Sequence, residues 1–253
     1  MIELNRIYNE DCLETMRRMP DKSIDLIVTD PPYGLEYNQN DLAANRESVF
    51  GGKKSRMRPN GIMNDGEETA NNLFRAMLLE ASRILKSGSC CCCCCCGGGG
   101  PKPLFARWTL WMDETPKLKF KQAVVWDKGG LGMGIHYRRN YEFMLVAQKD
   151  GGACIWNGGK TTPNIIRIPK IIPREDQHPT EKPVELMERF IALHSNAGDI
   201  VYDPFCGHGS TLIAAEKLGR KWIGSEISSK YCEIAQKRVD AERNQIKLFK
   251  VAQ

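Results

Sequence analysis

Apolar residues fall into two rhythms along this chain. Short runs rich in β-branched residues, at 23–29, 122–126, 142–147, 199–202 and 222–225, predict strands. Helical spacing appears over 67–86, where Leu73, Met77, Leu78, Ala81, Ile84 and Leu85 recur. Further helices are predicted over 102–114, 183–194, 211–218 and 230–243. Pro183 stands near the first turn of one, where its missing N–H costs nothing. Strands alternating with helices predict an α/β fold: a doubly wound, mostly parallel sheet with an antiparallel edge strand. One domain, 1–253, is expected, with insertions at 35–66 and 150–177 that show no clear period. Structureless loops of that length tend to be functional.

The chain has 253 residues, 42% of them hydrophobic, which is enough for one sizeable core. A net charge of +5 suits a polyanionic partner without proving one. No apolar run reaches the roughly 18 residues that cross a bilayer, and 1–6 lack a signal peptide's apolar stretch. A cytoplasmic protein is expected. Seven of the eleven cysteines are consecutive, Cys90 to Cys96; Cys12, Cys154, Cys206 and Cys232 are scattered. Neighbours in an extended run alternate faces and do not converge on one ion. The run therefore reads as a buried central strand of small hydrophobes, and no metal site is expected.

Two loops carry the chemistry. The strand at 23–29 delivers Asp30-Pro31-Pro32-Tyr33 at its carboxyl end. The strand at 199–202 leads into Asp203-Pro204-Phe205-Cys206-Gly207-His208-Gly209-Ser210-Thr211, and a helix follows. A strand, an acid, glycines and a helix form a recurrent nucleotide-binding device, in which glycines let backbone approach the ligand. Glu226 ends the next strand, where an acid can accept hydrogen bonds from ribose hydroxyls. The third glycine of a dinucleotide-binding fingerprint is absent.

The 203–211 loop resembles the S-adenosyl-L-methionine loop of bacterial and phage DNA amino-methyltransferases. His178-Pro179-Thr180-Glu181-Lys182-Pro183 resembles the segment preceding that loop. Asn9-Glu10-Asp11-Cys12 is similar to the patch whose acid approaches the cofactor's adenine. The order, Asp30 motif before cofactor motif, resembles the β group of that family. The likeness runs from Tyr8 to Arg238 and is weakest at 35–65 and 151–173. It implies S-adenosyl-L-methionine held by Asp11, Cys12, Asp30, Lys182, Asp203, Pro204, Phe205, Gly207, Gly209, Ser210, Thr211 and Glu226. Both motifs should face one crevice, because both end strands at the same sheet edge.

An aromatic amino nitrogen is a poor nucleophile because its lone pair is delocalised. Asp30 and the Pro31 carbonyl can each accept one of its hydrogens and favour a tetrahedral nitrogen; Pro31 and Pro32 stiffen the loop. Tyr33 can stack on an extruded base. The expected reaction is site-specific methylation of adenine N6 in double-stranded DNA, of the kind found in restriction–modification. Cytosine N4 poses the same problem; in the family, Asp at the first motif position leans to adenine and Ser to cytosine. RNA or protein-amide methylation, or an inactive DNA-binding module, are more distant alternatives. Arg46, Lys53, Lys54, Arg56 and Arg58 cluster after Tyr33 and can neutralise phosphates; Arg138 and Arg139 are further contacts. Arg167, Lys170 and Arg174 lie in the insertion at 150–177, which by the resemblance stands where the family places a target-recognition region, here a short one. Family members often dimerise, although no apolar stripe here demands it.

Overall fold

The computed structural model describes residues 2–34, 66–95, 104–131, 138–171 and 181–251. In chain order the elements are β1 (Arg6–Tyr8), α1 (Cys12–Arg18), β2 (Ile24–Thr29), α2 (Glu67–Ile84), β3 (Leu85–Cys95), α3 (Leu104–Glu114), β4 (Leu118–Asp127), β5 (Tyr141–Lys149), β6 (Ile165–Arg167), α4 (Val184–His194), β7 (Ile200–Asp203), α5 (Ser210–Lys217), β8 (Lys221–Ser225) and α6 (Ser229–Val251). The eight strands form one sheet in the order β1-β8-β7-β2-β3-β5-β4-β6. All neighbours are parallel except β5, which runs against both β3 and β4.

The α/β class and the mostly parallel sheet agree with the apolar pattern. The reversed strand does not lie at an edge, as the sequence suggested, but two strands in. The reason is connectivity. β5 follows β4 as an antiparallel neighbour and inserts beside β3, and the short β6 then covers the far side of β4. The sequence pattern also missed β1, α1 and β6. Two of these are three-residue strands, too short to set up an alternation, and β6 lies in a stretch read as irregular.

The cysteine strand is central and buried. β3 pairs with β2 through Cys90–Cys93 and with β5 through Cys90–Cys95. Cys91, Cys93 and Cys95 face Phe74, Met77, Trp108 and Met112 of α2 and α3. Cys90, Cys92 and Cys94 face Leu186, Phe190 and Leu212 of α4 and α5. Period-two alternation thus splits the run between two helical layers, each requiring a small apolar side chain. Burial pushes the thiols of Cys92, Cys93 and Cys94 well above the ordinary range, so they stay neutral.

The chain departs from the sheet's centre in both directions. β2 leads outward to β3, and β7 leads the other way to β8, so the β7–β2 boundary is the topological switch point. In open α/β sheets the ligand crevice lies there, beyond the carboxyl ends of the strands. Both motif loops leave the sheet at that boundary.

Candidate functional site

Thr29 closes β2 and Asp203 closes β7. Their side chains meet across the boundary, the Thr29 hydroxyl donating to Asp203 Oδ1 at 2.6 Å. The Phe205 amide donates to the same oxygen at 3.0 Å. Asp203 is buried, and burial pushes its carboxyl up to about 6 against the donors from Thr29, Thr211 and Phe205. Asp203 is therefore a fastener: it ties the glycine loop to the strand that carries Asp30.

Gly207 (φ +47°) and Gly209 (φ +80°) take left-handed conformations, which favour glycine. A Cβ on Gly209 would approach Ala235 Cβ to 3.0 Å, so α6 leaves no room there. A Cβ on Gly207 would meet nothing within 4 Å, so open space lies over that backbone. The Gly207 amide donates to Glu226 Oε2 at 3.0 Å and the Ser228 amide to Oε1 at 2.9 Å. Each carboxylate oxygen keeps a lone pair for a ligand hydroxyl. β1 lies beside β8, so the chain after Tyr8 runs along the same rim; Asn9 Nδ2 donates to the Glu226 and Ile227 carbonyls. Asp11 caps α1 by accepting from the Leu13 amide at 2.8 Å, and Cys12 is buried behind it. Pro204 and Thr211 are buried, and Ser210 Oγ donates to Glu181 at 3.5 Å. An open backbone cradle, an acid at the next strand end and a second acid on the rim fit a nucleoside with a polar tail.

Asp30 stands one strand away, gripped from two sides. Tyr33 donates its hydroxyl to Oδ1 at 2.7 Å, and Lys182 Nζ donates to Oδ2 at 2.8 Å. Lys182 is 6% exposed and also faces Glu142 Oε2 at 3.5 Å. Lys128 holds the other Glu142 oxygen at 2.9 Å. The two lysines hold the Glu142 carboxyl below the usual range, although burial opposes them, and the carboxylates of Asp30 and Glu142 raise Lys182. The Lys182 ammonium lies 5.2 Å from the Tyr33 ring centre, a cation–π contact. Tyr33 packs against Trp108, which stacks on Phe74, and Pro31 is buried. Two carboxylates and two ammonium groups thus form a balanced chain that ends on the oxygen atoms of Asp30.

The resemblance assigned Lys182 to the cofactor set; its ammonium lies on Asp30, which the same reading placed in both the catalytic and the cofactor set. Glu142 and Lys128 were missed altogether. Glu142 sits at this edge only because β5 is reversed, which puts the start of that strand beside the ends of its neighbours; no local pattern signals that. Arg138 and Arg139 precede β5 at the same rim. Arg46, Lys53, Lys54, Arg56 and Arg58, as well as Arg174 and His178, lie outside the described residues.

A family model described as DNA methylase, covering N6 and N4 methyltransferases, matches residues 24–237. The chain belongs to the DNA methylase family. Its cofactor is S-adenosyl-L-methionine. DNA adenine methyltransferase YhdJ of Escherichia coli (strain K12) is 27% identical over 274 residues, spanning 94% of this chain and 83% of YhdJ. Among solved structures, TTHA0409 from Thermus thermophilus, complexed with S-adenosyl-L-methionine, aligns with a TM-score of 0.66 at 23% identity. That alignment covers 94% of this chain and 95% of that one. PvuII DNA methyltransferase, cytosine-N4-specific, shares the fold at a TM-score of 0.68 and 16% identity, covering 97% and 93%. Among the described residues of this DNA methylase, no helix is long and apolar enough to cross a membrane.

Proposed function

We propose that this DNA methylase transfers a methyl group to N6 of an adenine turned out of double-stranded DNA. The observation that carries the reading is Asp30: a carboxylate at a strand end, fixed by Tyr33 and Lys182 one strand from the cofactor loop. Bound S-adenosyl-L-methionine supplies a methyl activated on a sulfonium centre. Asp30 accepts one amino hydrogen and the Pro31 carbonyl the other, which localises the nitrogen lone pair. Once N6 carried the methyl group that the cofactor would supply, its surplus proton would leave by way of Asp30. Lys182 positions Asp30 in advance, so little reorganisation is needed as charge develops. Tyr33, Pro31 and Pro32 shape the wall of the base pocket. Glu226 and Asp11 accept from the cofactor's hydroxyl and amino groups, and Gly207 and Gly209 give it close backbone.

Phosphates are held by Arg46, Lys53, Lys54, Arg56 and Arg58 with Arg138 and Arg139, in a protein working in the cytoplasm. A second reading, cytosine N4, is favoured by the shared fold of PvuII methyltransferase. The aspartate at position 30 supports adenine, by the family's lean. Incubating unmethylated DNA with the protein and cofactor, then analysing the digested nucleosides by mass spectrometry, tests both. N6-methyldeoxyadenosine is expected; N4-methyldeoxycytidine would move the target, and no methylated nucleoside would sink the enzymatic reading.

A further inference from the structure

Behind the edge that carries Asp30, three soft donors from three elements converge. Cys90 Sγ of β3 and Cys154 Sγ, in the segment after β5, lie 3.3 Å apart. Cys154 Sγ lies 4.0 Å from Nδ1 of His194, the last residue of α4. All three donor atoms fall within 4.8 Å of one another. We propose that Cys90, Cys154 and His194 bind one zinc ion, which pins the segment after β5 and the end of α4 to the central strand.

Geometry supports it first. With Zn–S about 2.3 Å and Zn–N about 2.0–2.1 Å, tetrahedral donors stand about 3.5–3.8 Å apart. Against 3.3 Å, 4.0 Å and at most 4.8 Å here, no donor pair has to move by more than about 1.3 Å. The backbone is built for the convergence. β3 carries extra residues against β2 between Leu85 and Cys90, and Gly88 (φ +85°) lies among them. A Cβ on Gly88 would come 2.3 Å from the Ala153 carbonyl oxygen, so the missing side chain is what lets Cys154 reach β3. Asn157 then ties the same segment to the end of α4. Its amide donates to the Leu193 carbonyl at 2.9 Å, and its side chain to those of Ala192 and Ser195 at 3.0 and 2.8 Å. The imidazole is held between Trp156 and Phe190.

Chemistry selects the ion. Two thiols and an imidazole, with no carboxylate among them, suit zinc rather than magnesium or calcium. Binding releases both thiol protons, and two thiolates on Zn²⁺ make a neutral unit, which apolar neighbours tolerate; on monovalent copper the same unit would carry a buried negative charge. Cys154 is only half-buried, so water can take the fourth position. Cys91 to Cys95 keep their role as packing groups.

The test uses the full chain, expressed with zinc, stripped of loose metal by gel filtration and assayed by elemental analysis. One zinc per chain is expected, lost in Cys154→Ser and in His194→Ala and retained in Cys232→Ser. Should those variants fail to fold, cobalt(II) loading of the unaltered chain gives a separate readout: thiolate-to-cobalt charge-transfer absorption is expected. Wild-type protein that takes up neither ion, zinc retained in full by Cys154→Ser, or a Cys90–Cys154 disulfide in the unreduced peptide map would each overturn the proposal. None of these readouts depends on methyl transfer.

Discussion

Replacing Lys182 with methionine removes the ammonium from between Asp30 and Glu142 while keeping most of the side chain's volume. What is lost is a charge-assisted bond of 2.8 Å to Asp30 and a longer ion pair of 3.5 Å to Glu142. Asp30 retains its bond from Tyr33, so it is loosened rather than released. A bond of this kind contributes about 1.5–3 kcal/mol. Lys182 is almost fully buried and the Asp30 side chain is 27% exposed, so solvent screens the loss only in part. At about 1.4 kcal/mol per tenfold change, kcat should fall roughly 10- to 150-fold. Glu142 loses one of the two lysines that hold its buried carboxyl low, so in the variant it takes up a proton more readily as pH falls. The assay is single-turnover transfer of labelled methyl to DNA over a pH series, with cofactor affinity measured separately by calorimetry. Cofactor affinity should change little, and Lys182→Arg should recover part of the rate. If the methionine variant instead keeps its kcat and loses activity only through weaker cofactor binding, Lys182 belongs to the cofactor set and the positioning role is wrong.

Other perturbations of the site have equally definite outcomes. Glu226→Ala should weaken S-adenosyl-L-methionine binding by about 1.5–3 kcal/mol, the worth of a charge-assisted bond, read by calorimetry; unchanged affinity would put the ribose contact elsewhere. Thr29→Val leaves Asp203 short of one donor in a buried place and should lower stability by about 1–3 kcal/mol in denaturant titration. Asp203 has a folded-state value of about 6, above the roughly 3.9 of an unfolded chain, so its protonated form is the one folding favours. Its contribution is fully present below pH ~3.9 and is lost as pH rises through about 6, leaving a deficit on the order of 3 kcal/mol at neutral pH. Asp203→Asn should therefore flatten the pH dependence of the thermal midpoint over that window and raise it at pH 7; an unaltered slope would refute the assignment. Arg138→Gln with Arg139→Gln should flatten the salt dependence of DNA binding by about 0.9 in log–log slope per lost phosphate contact without altering site preference; an unchanged slope would remove them from the DNA surface.

Much of this protein is written locally. The β-branched run at 24–29 makes a strand wherever it packs, and Asp30-Pro31-Pro32-Tyr33 must then emerge at its end. The acid–glycine–helix pattern at 203–211 carries its meaning within nine residues, since left-handed backbone at Gly207 and Gly209 is a property of those residues alone. Alternation likewise made the cysteine run a buried strand, with neighbours on opposite faces. Strand order was not written locally. Periodicity says that a segment is a strand but not which strands flank it, and a reversed strand inside the sheet looks like any other. That reversal brings Glu142 to Lys182, forty residues further along, and Lys182 in turn meets Asp30, 152 residues back in the chain. The convergence of Cys90, Cys154 and His194 has the same origin: separations of 64 and 40 residues are closed by a glycine that lets backbone touch backbone, and by an asparagine that ties a loop to a helix end. The sequence by itself determined the two loops and the chemistry each offers. Only the tertiary structure decided which charges stand around Asp30, because ion pairs between distant residues depend on sheet order, and sheet order is settled by how the whole core packs.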